Sequence, residues 1–237
     1  MTKQPFNTLK LLKRYQKNPV LRGLIQLIPF NIGSSIDTAL VTHLQNILEE
    51  RTRTFFDELA DSKIVLQPEL LKSEDFLHCF FATMRAALNT RRREKIKFFA
   101  RLLKASTFPN SFSDTDEYEE YLKILDELSF REISILFILD KYESRFPKTG
   151  KENDLKRVNR FWDKFTTKLV KQLDIPKDES NAILTRLNRT GCYETFTGSY
   201  WDYTGGKGKL TPTYFRLKKL IQLGNNNITL NPSANKF

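Results

Sequence analysis

The chain has 237 residues, enough to bury a full hydrophobic core and to hold two small domains. Forty per cent of it is hydrophobic and 28% charged, a balance that excludes an intrinsically disordered chain and argues against a membrane-spanning one. A formal net charge of +11 favours association with anionic surfaces such as nucleic acid or acidic lipid without selecting between them.

Across residues 6–17, Leu11, Leu12 and Tyr15 fall on one helical face, with Lys10, Lys13, Arg14 and Lys17 over much of the remainder. The segment reads as a basic amphipathic helix. The longest mostly apolar stretch, residues 20–30, is interrupted by Arg22, Gln26 and Pro29 and falls short of the roughly 20 residues a spanning helix needs. No transmembrane segment and no secretory signal is expected, so the chain is expected to be soluble and cytoplasmic. Ser34 and Ser35 are placed to cap a long helix in which Ile36, Leu40, Leu44, Ile47, Leu48, Phe55 and Leu59 keep the helical period to about Asp61.

Pro68 opens a third segment where Phe76, Phe80, Met84 and Leu88 recur every four residues. A strongly basic stretch, residues 91–104, follows and holds Ile96, Phe99 and Leu103 on one stripe. The Pro, Ser and Asp-rich link at residues 108–115 then breaks the pattern. It divides the chain into a helical bundle at 1–108 and a second domain at 109–224, with a loose Asn-rich tail at 225–237.

Asp114 with Glu117, and Ser129 with Glu132, form two capping boxes, each giving a helix a local reason to start. The first helix shows Tyr118, Tyr121, Leu122, Leu125 and Leu128 on one face; the second, through Ile133, Leu136, Phe137 and Leu139, is apolar enough for a central core helix. A further helix runs through Val158, Phe161, Trp162, Phe165 and Leu169 to about Asp174, and Pro176 begins the next at Lys177, which Gly191 stops. Residues 192–203 read as two short strands, Gly205, Gly206 and Gly208 as a flexible tip, and Thr211 with Pro212 as the start of the last helix.

Chemistry finds little to build on. Cys79 and Cys192 lack a partner at CxxC or zinc-ligand spacing, which predicts free thiols in a reducing compartment. His43 and His78 are the only histidines. Although His78 adjoins Cys79, neighbours on a helix point roughly 100° apart and not across a hydrogen bond. The carboxylates are dispersed, with no Glu-x-x-His pair, so no metal, cofactor or enzymatic activity is expected. Nor do the glycines make a phosphate loop, since no Gly stands five residues before Gly206-Lys207 or Gly208-Lys209.

The order of three helices, short hairpin and helix over residues 129–223 resembles the winged helix-turn-helix superfamily. Leu169, Leu173, Ile175, Ile183, Leu187 and Gly191 look like its central two helices, with residues 191–211 as the wing. The interval from Ile175 to Ile183 is longer than that superfamily's usual tight turn. The expected fold is thus mainly α: an N-terminal helical bundle plus a winged-helix-like unit with a short β-hairpin. Where such a unit binds nucleic acid, the helix at Lys177 would approach the groove. Asp178, Asn181, Thr185 and Arg189 then lie outward with Arg186 beside them, and Asn181 and Arg189 can reach bases or phosphates. Asp178 and Glu179, on the first turn, are repelled by phosphate and instead suit a basic protein partner.

Lys207 and Lys209 read either as phosphate contacts at a wing tip or as a solvated turn. Arg91, Arg92, Arg93 and Lys97, in the densest basic run, read either as a grip on an anionic polymer or as a solvated face pairing with the acidic residues 114–120. The residues 95-KIKFFARLL-103, 121-YLKILDELS-129 and the following apolar helix together resemble the Abi-alpha family of bacterial abortive-infection proteins. That resemblance implies a host-defence role, with nucleic acid or another protein of a defence system as partner, and supplies no catalytic residues. A pure protein-interaction subunit and a membrane-acting effector using residues 6–30 are the alternative expectations; no homo-oligomer is assigned.

Overall fold

The structure is a computed structural model and describes residues 8–28, 38–61, 66–197 and 206–223. Among these it is mainly helical, with eleven α-helices, a 3₁₀ turn at Pro68–Lys72 and one two-stranded antiparallel sheet. The chain divides into two compact units, residues 1–122 with 220–226, and residues 123–219 with 227–237. Ser34, Ser35 and Ile36, expected to open the third helix, Gly205 of the expected hairpin tip and the Asn-rich tail lie outside the described residues.

In the first unit the basic amphipathic segment forms α1 (Thr8–Arg14) and is followed by α2 (Pro19–Leu27), whose N-cap Asn18 accepts the Leu21 N–H at 3.1 Å. Leu11 and Tyr15 of α1 and Val20, Leu21, Leu24 and Ile25 of α2 are buried. They pack with α3 (Thr38–Ala60), where Tyr15 lies against Phe56 with ring centroids 5.9 Å apart. Ser73 caps α4 (Glu74–Asn89) by accepting the Phe76 N–H, and the four-residue repeat buries Phe76, Phe80 and Met84 while Leu88 is half-buried. On α5 (Arg93–Ala105) the stripe Ile96, Phe99 and Leu103 is buried as its spacing requires.

The link after α5 turns tightly, Thr107 and Phe108 donating back to the carbonyls of Lys104 and Ala105, each at 3.1 Å. It leads into α6 (Thr115–Glu127), where Asp114 accepts the Glu117 N–H at 2.8 Å and the Glu117 carboxylate accepts the Ser113 N–H at 2.6 Å. Tyr118 then plugs into the first unit: it is buried, its hydroxyl bonds Thr83 on α4, and its ring meets Phe112 at 5.2 Å. For that reason the division falls between residues 122 and 123, inside α6, and not at the Pro-rich link where composition alone places it.

The second unit is built on α7 (Phe130–Arg145). Its capping box is complete, Ser129 accepting the Glu132 N–H at 3.2 Å and Glu132 accepting the Ser129 N–H at 2.8 Å. Ile133 and the unbroken run Ile135 to Leu139 are buried, so α7 is core on nearly every side. The helix expected through Val158 to Asp174 is two helices, α8 (Asp154–Asn159) and α9 (Trp162–Leu173). At the break, Phe161 leaves helical geometry and is buried against Tyr142 and Phe146, with centroids 5.8 and 5.5 Å away.

The turn to α10 (Lys177–Asn188) is only three residues, tighter than the spacing of Ile175 and Ile183 suggests. Asp174 takes a left-handed φ of 52°, Ile175 is buried, and Pro176 occupies the N-cap position. The hairpin also differs from expectation. Its strands are β1 (Tyr193–Thr195) and β2 (Gly208–Leu210), paired Tyr193 to Leu210, Glu194 to Lys209 and Thr195 to Gly208. The glycines therefore do not all belong to a tip. A Cβ on Gly208 would lie 2.2 Å from the Glu194 carbonyl oxygen and 2.5 Å from the Tyr193 ring, so glycine stands here because two backbones approach closely. Last, α11 (Pro212–Leu223) begins with Pro at its first position.

Candidate functional site

Within the second unit, carboxylates gather three of the four basic residues whose sequence positions suggested a partner. Glu132, 1% exposed, receives the Arg186 guanidinium at 2.9 Å and Arg189 at 3.8 Å, and Arg189 also donates to the Glu127 carbonyl at 3.2 Å. Burial alone would raise the Glu132 carboxyl, but the hydrogen bonds from Ser129 and the Arg186 contact outweigh it and hold the group below its ordinary value. Asp154 takes Lys148 at 2.8 Å and Lys209 at 3.0 Å, and Lys209 lies 3.5 Å from Glu194 as well. Lys207 donates to Asn159 at 2.7 Å. Lys209 is thus a strand residue and Lys207 immediately precedes the strand, and both are turned onto α8.

The same hairpin is held to α10. Asn188 donates to the Thr195 hydroxyl at 3.1 Å and accepts its N–H at 3.3 Å. Gly206, at φ 75°, leaves room for Asn181, whose side-chain oxygen would lie 2.4 Å from a Cβ there. The Tyr193 hydroxyl donates to the Gly206 carbonyl at 3.2 Å. Ser180, Leu184 and Leu187 form the buried face of α10 with Ile183 half-buried, while Asp178, Glu179, Asn181, Thr185, Arg186 and Arg189 are exposed. The structure brings the nominated residues of α10 onto one helix, yet Asn181, Arg186 and Arg189 already have neighbours within the unit.

Beneath the hairpin lies a buried polar cluster. Glu143 of α7 meets Arg157 at 2.5 Å and accepts the Leu210 N–H at 2.9 Å; Asp140 accepts from the Tyr214 hydroxyl at 3.1 Å and from Lys218 at 2.6 Å. Burial pushes the Glu143 carboxyl up, against the downward pull of the Leu210 N–H and Arg157. These bonds hold β2 and α11 on α7, so the cluster fixes shape and is not open to a substrate.

The basic run of the first unit meets a similar fate. Arg93 lies 3.5 Å from Glu50, while Lys97 and Arg101 reach Glu58 at 3.8 and 2.7 Å. The pairing partners are carboxylates of α3, not the acidic residues 114–120. Arg91 is exposed and Arg92 half-buried at the N-cap position of α5. The arrangement borders a cleft of about 670 Å³ in which Asp57, Glu58, Asp61 and Glu94 face Arg14, Arg93 and Lys97; neither sign prevails. Elsewhere in this unit His78 is exposed, 2.5 Å from Glu119, whereas Cys79 is buried, so the two adjacent residues serve different environments. Cys192 is buried too, both cysteines are free, and burial pushes each thiol up to about 11. Among the described residues no group of three or more His, Cys, Asp or Glu is placed to hold a metal ion.

No family model, curated protein or solved structure matches this chain. Several exposed cations of the second unit lie outside the pairing just described, and three of them, not among those the sequence pattern singles out, share one face of α9. Lys164, Lys168 and Lys171 on α9 are all exposed and, among the described residues, form no ion pair. Their i, i+4, i+7 spacing is visible in the sequence. It is masked there by the apolar stripe of the same helix and by the denser, contiguous charge of residues 91–104.

Proposed function

We propose that the second unit is a winged-helix-like docking module of a bacterial defence or regulatory protein that binds nucleic acid or a partner protein and performs no chemistry itself. The observation that supports this most is the distribution of charge. Residues 123–219 hold 20 Lys and Arg against 13 Asp and Glu, a net +7, in a small helical unit whose hairpin is pinned to α8 and α10. A positive surface on a rigid scaffold suits docking to an anionic surface. The defence assignment rests on the Abi-alpha resemblance of the sequence. The exposed carboxylates Asp178 and Glu179 favour a second reading, docking of a basic protein at the first turn of α10.

The membrane-acting alternative loses support. Leu11, Tyr15, Val20, Leu21, Leu24, Ile25 and Ile28, the apolar side chains such a helix would insert, are buried in the first unit, and no helix among the described residues is long and apolar enough to cross a membrane.

The double change Asp178→Lys with Glu179→Lys in the full chain separates the two docking modes. If α10 approaches duplex DNA, removing two repulsive carboxylates raises affinity in a fluorescence-anisotropy titration. If a basic protein docks there, co-purification of that partner from the native host is lost. An unchanged result in both assays would exclude α10 as the docking helix.

A further inference from the structure

We propose that Lys164, Lys168 and Lys171 on α9 are the phosphate-gripping surface of the second unit, and that the ligand is the backbone of a nucleic-acid duplex. This deepens the docking reading above and rests on it. Arg157, Arg186, Arg189, Lys148, Lys209 and Lys218 are all held on carboxylates of their own unit. A partner that used them would have to break existing ion pairs. Lys123, Lys141, Arg145, Lys151, Lys156, Lys177 and Lys219 are exposed and, like the α9 lysines, form no ion pair among the described residues, but α9 alone places three such cations on one helix face. Among the described residues the three lysines of α9 have no ion pair to break, and the Lys164 ammonium lies 6.0 Å from the centre of the Phe146 ring.

At about 100° per residue the three lysines fall within a strip roughly 60° wide. Trp162, Phe165 and Leu169 on the other side of α9 are buried, and the Tyr142 hydroxyl of α7 donates to the Lys164 carbonyl at 3.1 Å. The helix is therefore anchored, and its ammonium groups stand on a fixed support. From Lys164 to Lys171 the helix rises about 10.5 Å at 1.5 Å per residue, which spans roughly three phosphates of one strand at 3.4 Å each. Arg131, donating to the Asp174 carbonyl at 2.9 Å, adds a cation at the C-terminal end of the strip. Asp163 and Asp174 are the carboxylates on α9 and its cap, both exposed.

The chemistry of the strip selects nucleic acid over an acidic protein. Protein interfaces draw their energy from buried aromatic and apolar anchors and are depleted in lysine. The lysine strip contains no apolar side chain, and Thr167, beside it on the helix surface, is half-buried. Point charges in a row satisfy a polyphosphate backbone without such anchors and without reading sequence.

The test uses the full chain and mixed-sequence fluorescent duplexes from about 50 mM salt upward, where counterion release makes phosphate binding strongest at the low end. Lys164→Ala, Lys168→Ala and Lys171→Ala together should weaken binding to every duplex alike and reduce the slope of log K against log salt by about three, one for each phosphate no longer neutralised. A control triple, Lys13→Ala, Lys17→Ala and Lys72→Ala, removes the same charge from exposed positions of the first unit and should retain most of the slope. Both triples are first shown by circular dichroism to keep native helicity and melting. If the native chain binds and the α9 triple binds equally well with equal slope, the strip is refuted while docking through another face stands. If the native chain binds poly-glutamate as tightly as DNA, the nucleic-acid assignment is overturned. If the native chain binds no duplex at all, this proposal and the nucleic-acid arm of the docking reading fail together.

Discussion

Glu143 is a buried carboxylate whose charge the second unit should be sensitive to losing. Its carboxylate is 2.5 Å from Arg157 and also accepts the Leu210 N–H at 2.9 Å, with the two side chains only 8% and 14% exposed. The Arg157 Nε atom is already buried without a partner. Glu143→Gln keeps an oxygen for Leu210 and nearly the same volume, but strips the guanidinium of its counter-charge. Breaking a buried pair from one side costs about 3–5 kcal/mol. At about 2–4 °C per kcal/mol for a chain of this length, the melting temperature should fall by roughly 6–20 °C.

Differential scanning calorimetry of the single variant, and of Glu143→Gln combined with Arg157→Met, reads this directly. Replacing both ionic partners is commonly neutral in such sites because the desolvation cost disappears with the charges. The double variant should therefore recover most of the loss. A single variant within about 2 °C of the native melting temperature, a shift too small for about 3 kcal/mol at this length, would refute the reasoning. So would a double variant no more stable than the single.

Gly208→Ala should separate β1 from β2, since a Cβ 2.2 Å from the Glu194 carbonyl cannot be absorbed by a flexible side chain; hydrogen exchange at Phe196 and Thr211, whose N–H groups donate across the hairpin to the Lys207 and Cys192 carbonyls, should accelerate at a cost of about 1–3 kcal/mol. Gly150→Ala is the matched control, having a φ of 55° but nothing within 4 Å, and should cost about 1–2 kcal/mol from the backbone alone while leaving the hairpin protected. With Cys79 and Cys192 thiols pushed up to about 11 by burial, the reactive thiolate is scarce at neutral pH. Alkylation of the native chain should be slow, accelerating as pH approaches 11 and becoming complete on unfolding; stoichiometric labelling at neutral pH would contradict the buried placement.

Where one local rule decides the outcome, the sequence is readable. Ser129 and Glu132 form the capping box their spacing announces, and Ile96, Phe99 and Leu103 are buried as a three- and four-residue repeat requires. It is not readable where a distant residue decides. Tyr118 joins α6 to the first unit through Thr83, which no compositional boundary at residue 108 can register. Phe161 splits one expected helix because its ring is needed against Tyr142 and Phe146. Gly208 looks like part of a flexible tip, and only the register with Thr195 reveals a strand residue under a close approach.

The candidate site is hard to read for a related reason. A run of basic residues shows how much charge a segment has, whereas availability to a partner depends on which carboxylates the fold brings near. Arg186 and Arg189 illustrate the cost. To give both guanidinium groups to DNA, the unit would leave Glu132, 1% exposed, with only its capping bonds. The energy gained at a phosphate would be offset by stranding a buried carboxylate, a penalty of several kcal/mol for an unpaired buried ion. Asp178 and Glu179 have a local reason to stand where they do, because acidic side chains in the first turn of α10 favour the positive end of its dipole by about 0.3–1 kcal/mol each. On both counts α10 is better suited to holding the hairpin than to entering a groove. The exposed lysines of α9 can engage an anion without disturbing any ion pair among the described residues.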